Sequence, residues 1–140
     1  MAETYATEVA GLNTTPISNS NGAVQGGRLR RFRATITLAS QADGDTVVLA
    51  QVPAGYAFAY GILNASATLG SSTIAVGIAG TAAKYRAAAT FTAAAPTLFG
   101  VSTAVDDAPL SAQETVILTN TTAALPSSGT LIVDLYFSAP

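Results

Sequence analysis

The sequence predicts an all-β protein, a single β-sandwich or jelly-roll-like domain of about seven or eight short strands behind an extended N-terminal arm. Three observations carry this expectation. Apolar and polar residues alternate with period two in several segments between Arg28 and Phe137. Turn-forming steps separate those segments: Asp43-Gly44, Pro53-Ala54-Gly55, Leu69-Gly70, Ala79-Gly80 and Ser128-Gly129. No stretch repeats its apolar residues at the three-to-four spacing of an amphipathic helix.

The arm comes first. Residues 1–27 are rich in Asn, Ser, Thr and Gly, and Val9, Leu12, Ile17 and Val24 follow no period. The segment reads either as a frayed terminus or as an arm that orders on a partner. In the second case Val9, Leu12 and Ile17 are its anchors.

The domain proper is expected over 28–140. In RLRRFRATITLA, Arg30, Phe32, Ala34, Ile36 and Leu38 share one face, and Arg31, Arg33, Thr35 and Thr37 share the other. That alternation is a half-buried strand. DTVVLAQV follows as a β-branched strand. In GYAFAYGILNAS, Tyr56, Phe58 and Tyr60 alternate with small residues and are expected on one face. STIAVGIAG places Ile74, Val76 and Ile78 together. The alanine-rich stretch from Thr81 to Ala95 has helical propensity. Thr90, Phe91 and Thr92 interrupt any apolar helical stripe, so strand and loop are preferred. Residues from Pro96 to Pro109 read as loop, ETVILTN as a strand, and TLIVDLYF as a last strand with Leu131, Val133, Leu135 and Phe137 inward and Ile132, Asp134 and Tyr136 outward.

Composition narrows the function. The chain of 140 residues has no Cys and no His, so disulfides, thiolate metal sites and imidazole catalysis are all excluded. Charged residues make up 10%, well under the roughly 25% of ordinary soluble domains. Such a weakly charged surface suits a protein pressed against neighbours. Neither a signal-peptide pattern nor an apolar run of about 18 residues is present, which predicts synthesis in a cytoplasm without export or membrane insertion. No P-loop and no GxSxG elbow is found; Gly26-Gly27 is followed by Arg28-Leu29. The expectation is a non-enzymatic protein with no cofactor.

Four of the six basic residues are Arg28, Arg30, Arg31 and Arg33. Such a cluster can guard a strand edge, meet an acidic protein surface or hold phosphates. The net charge of −2 and the lack of a second basic patch speak against nucleic acid. Asp43-Gly44-Asp45 and Asp106-Asp107 are acidic pairs without the spacing of a calcium loop, and read as turns. Tyr56, Phe58 and Tyr60 form either core, an oligomer contact or a stacking platform for sugars.

Segments over most of the chain resemble small tailed-bacteriophage head decoration, or auxiliary capsid, proteins. The resembling stretches are Arg28 to Arg33, Asp45 to Ala50, Val52 to Tyr56, Leu63 to Ser66, Leu69 to Thr73, Ala83 to Ala88 and Gly129 to Phe137. These are sheet and turn patterns rather than reactive groups. The resemblance implies a protein of the virion exterior that binds the major capsid protein, commonly as a homotrimer, and stabilises the expanded shell. Arg28, Arg30, Arg31, Arg33, Val9, Leu12 and Ile17 are then the capsid-contact candidates. The alternative is a carbohydrate-binding or host-recognition module of a phage fibre, using Tyr56, Phe58 and Tyr60.

Overall fold

A β-strand buries alternate side chains, so the period-two segments must pair into sheets and close on one another. The computed structural model describes residues 6, 10–11, 14–19, 22–23, 25–93, 95–105 and 108–140. Its strands are β1 (Arg28–Thr37), β2 (Thr46–Val52), β3 (Ala57–Ala65), β4 (Thr73–Ile78), β5 (Thr81–Thr90), β6 (Thr97–Phe99), β7 (Glu114–Thr121) and β8 (Thr130–Ala139). The anchors Val9 and Leu12, and the pair Asp106-Asp107, lie outside the described residues.

Two four-stranded antiparallel sheets form, in the orders β1-β8-β3-β6 and β2-β7-β4-β5. Every connection crosses from one sheet to the other except the β4–β5 hairpin. That hairpin turns at Ala79-Gly80, where Gly80 takes a φ of 83°, a conformation that costs glycine little.

The inner faces meet in one apolar core. Leu131, Val133, Leu135 and Phe137 of β8 are completely buried, as are Val52, Ile74, Val76, Val116 and Leu118 of the opposite sheet. Phe137 is the hub of an aromatic cluster. Phe32, Phe58 and Tyr85 surround it with ring centroids at 5.8, 5.3 and 5.8 Å. Tyr85 belongs to the other sheet, so the cluster ties the two layers together.

Most strands lie where their periodicity predicts, and residues 81–90 are strand rather than helix. Two features differ. The region after Pro96 contains β6, a three-residue strand too short to carry a periodic signal. It exists because it pairs with Gly61, Ile62 and Leu63. Phe99 lies over Gly61 there, where any added Cβ would overlap its ring.

The second difference is in β3. Phe58 pairs with Phe137 and Tyr60 with Tyr136, leaving Ala59 as a bulge. A one-residue bulge reverses the faces beyond it. Tyr56 and Phe58 therefore point inward, Tyr56 against Phe32 at 6.1 Å and Phe58 only 5% exposed. Tyr60 points outward. The three aromatic residues do not share one face, contrary to the expectation from their alternation.

Register shifts also mark the β4–β5 pair, between Ile74 and Val76 and between Val76 and Ile78. The Arg86 guanidinium lies at this irregularity. It donates to the carbonyls of Ile74, Ala89 (3.1 Å), Thr90 (3.3 Å) and Ala87 (3.4 Å). Burial lowers the Arg86 pKa from its ordinary value.

Candidate interaction surface

Strand β1 is an edge strand, and its four arginines are all exposed. Arg31 and Arg33 stand on the outer face, because their register partners Tyr136 and Asp134 point away from the core. Arg33 grips Asp134 bidentately. The hydrogen bonds from Arg33 hold the Asp134 carboxyl below the usual carboxylate range, against the opposing effect of burial, and the charges of Arg33 and Arg31 add to this. Arg33 is raised in turn by the same hydrogen bond and by the Asp134 charge.

Next to this pair, Tyr60 and Tyr136 stack at 4.7 Å with their planes 20° apart. Ile62 pairs with Asp134 on one side and Leu98 on the other. Ile132 completes the outer face of β8. Across the face, one row runs Arg31, Tyr136, Tyr60 and the next runs Arg33, Asp134, Ile62, Leu98. Leu98 is 67% exposed.

The arm meets the body near the start of β1. Ala23 is buried, and its carbonyl accepts a hydrogen bond from the Ser138 hydroxyl. Ala23 thus packs against the end of β8. Ile17, the anchor candidate among the described residues, is 67% exposed in a stretch of exposed residues from Thr14 to Asn19.

A cleft of about 210 Å³ opens at the other sheet, lined by Phe58, Lys84, Tyr85, Thr103, Leu110 and Glu114 among others. Its titratable groups satisfy one another. Lys84 pairs with Glu114 through Nζ and Oε1, and the Tyr85 hydroxyl donates to Glu114 Oε2 at 2.6 Å. Burial, the hydrogen bond and the Glu114 charge together push the Tyr85 pKa far above the normal phenolic range. This is a structural latch between β5 and β7.

The acidic turn is also structural. Asp43 accepts the Thr122 amide at 3.0 Å, and Asp45 accepts the Ala42 amide at 2.7 Å. Among the described residues no group of three or more acidic residues could hold a metal ion, and no helix is long and apolar enough to cross a membrane. Of the three aromatic candidates, Phe58 is in the core, and Tyr60 stacks its ring on Tyr136.

The alternation in the last strand already turns Ile132, Asp134 and Tyr136 outward, whereas Ile62 and Leu98 were not singled out from the sequence. Asp134 had a signal: a lone carboxylate in the apolar run TLIVDLYF calls for a cation. Nothing local named Arg33 as that cation.

No protein-family model matches the chain, and no curated relative matches it. Solved structures do match. A chain from the capsid of Ralstonia phage GP4 is similar at a TM-score of 0.66 and 21% identity, over 93% of this chain and 93% of that one. A chain of the Cyanophage Pam1 capsid asymmetric unit matches at 0.60 and 19%, over 81% and 86% of the two chains. One from the acidic stable capsid structure of Helicobacter pylori bacteriophage KHP30 matches at 0.59 and 11%, over 80% and 88%. The chain shares its fold with proteins of phage capsids. The resemblance drawn from the sheet and turn segments therefore holds at the level of fold.

Proposed function

We propose that this chain is a decoration protein of a phage head, a non-enzymatic protein that binds the outer surface of the shell and stabilises its expanded form. The fold shared with three phage capsid chains, over 80–93% of this chain, carries the reading. Strand order supports it. The order β1-β8-β3-β6 over β2-β7-β4-β5 fits two interlocked Greek keys and so supports a jelly-roll reading, an architecture used in viral capsid proteins. A charged fraction of only 10% suits surfaces that stay covered in an assembly.

The mechanism is passive. A homotrimer touches several copies of the major capsid protein at once, so modest individual contacts sum to durable attachment. Binding the expanded lattice in preference to the unexpanded one stabilises it by mass action. No cofactor, nucleic acid or membrane enters this role.

The test adds purified protein to expanded and unexpanded heads that lack it. Saturable cosedimentation with expanded heads, together with a higher temperature of head disruption, is expected. Failure to bind expanded heads would sink the proposal. Light scattering of the free protein checks the trimer: the mass of a single chain would remove pre-assembly and leave shell binding to be judged by the first experiment.

A further inference from the structure

The two outer faces of the sandwich differ in chemistry. That of β2-β7-β4-β5 carries Thr115, Thr119 and Thr121 on β7 and one aliphatic pair, Ile117 opposite the exposed Val48, with no stacked rings among the described residues. That of β1-β8-β3-β6 combines arginine, stacked tyrosines and exposed aliphatic side chains. Tyrosine and arginine are the residues enriched in the energetic centres of protein interfaces, because large, stiff side chains bury much area at little entropic cost. Leu98 contributes nothing to the core from its position on β6 and leaves most of its surface in water.

Charge says what kind of partner fits. The chain carries −2 overall, yet four of its six basic residues lie on β1. The two remaining basic residues are engaged inside the opposite sheet, Lys84 by Glu114 and Arg86 by backbone carbonyls. On the outer face Arg33 occupies both oxygens of Asp134. Arg31 forms no ion pair among the described residues, so the face keeps a net positive charge beside its apolar patch.

We propose that the outer face of β1-β8-β3-β6 is a docking surface for an acidic protein surface, with Arg31 meeting a carboxylate and Ile62, Leu98 and Ile132 meeting apolar side chains. This rests on the functional reading above, in which that surface belongs to the shell. The stacked tyrosines adjoin Arg31 and form a stiff row beside the Arg33–Asp134–Ile62–Leu98 row. The Asp134–Arg33 pair keeps the only carboxylate on this face, among the described residues, from repelling an acidic partner.

Expanded heads lacking this protein serve as the probe, and cosedimentation gives the affinity. Arg31→Glu and Leu98→Asp should each weaken binding at least tenfold, about 1.4 kcal/mol or more. Val48→Asp, at an exposed site on the opposite sheet, should bind as the unaltered chain does. Leu98→Ser provides a milder variant, and circular dichroism confirms that each variant is folded. Undiminished binding by folded Arg31→Glu and Leu98→Asp overturns the docking face while leaving the decoration role intact. Loss of binding in Val48→Asp alone does the same and points to the face of the opposite sheet. If the unaltered chain does not bind expanded heads, the functional reading fails and the docking face fails with it.

Discussion

Arg33 and Asp134 face each other across β1 and β8, joined by two hydrogen bonds: Nε to Oδ1 at 2.8 Å and Nη2 to Oδ2 at 2.7 Å. The residues are 101 apart in the chain, and the pair pins the edge strand to the centre of its sheet. The carboxylate is buried while about half of the guanidinium side chain remains in solvent.

This pair sets an acid dependence. The Asp134 pKa is depressed in the folded state, so its contribution to stability is present above the unfolded carboxylate value of about 4. It is lost as the pH falls through the lower folded value. Arg33→Ala should lower the urea midpoint at neutral pH, and the deficit should shrink in acid. Urea melts at a series of pH values check this; a deficit that does not change with pH would assign the effect to packing alone.

Gly61 should not tolerate a side chain. Its Cα lies under the Phe99 ring, so Gly61→Ala forces the ring and β6 outward. Overpacking of this kind costs about 1–3 kcal/mol. Phe99→Leu should relieve part of the penalty in the double variant. A double-mutant cycle in thermal or urea unfolding reads the coupling, and strict additivity would contradict the contact.

Asn120 is buried and acts as a three-way clamp. Its Nδ2 donates to the carbonyls of Ala42 (2.9 Å), Ala123 (3.0 Å) and Gln41 (3.2 Å), while its Oδ1 accepts from Ser72. Asn120→Asp keeps the shape but turns an oxygen toward those carbonyls. The new carboxyl should have a raised folded pKa, so the variant is least harmed in acid and loses stability as pH rises. The expected cost is about 2–4 kcal/mol at neutral pH. Comparing variant and parent midpoints at acid and neutral pH tests the sign.

Tyr85 should be silent in an alkaline titration of the folded protein. The chain has five tyrosines, and Tyr85 is the one whose hydroxyl is buried against Glu114. Phenolate absorbance should therefore reach its full value only when the protein unfolds. Tyr85→Phe should leave the native titration amplitude unchanged and lower stability by about 1–2 kcal/mol. A fall in native amplitude would show that Tyr85 ionises in the fold.

Much of the architecture was legible. The inward faces of β1 and β8 follow from RLRRFRATIT and TLIVDLYF, because strand side chains alternate whatever the neighbouring strands do. The turns at Asp43-Gly44 and Ala79-Gly80 follow from the left-handed conformations that their glycines take. The surface was only half legible. The arginines of β1 were visible as a cluster, whereas the stacked tyrosines and the Leu98 patch were not.

The sequence by itself determined where strands run, which faces they bury and how little chemistry the side chains offer. Those properties depend on local covalent geometry and composition. Only the tertiary structure decided that Phe58 turns inward and Tyr60 outward, that Thr97–Phe99 is a strand, and that Asp134 belongs to Arg33. Each depends on the register between strands distant in the chain. A bulge or a cross-strand pair is settled by the partner it meets, so it leaves little trace in the neighbouring residues.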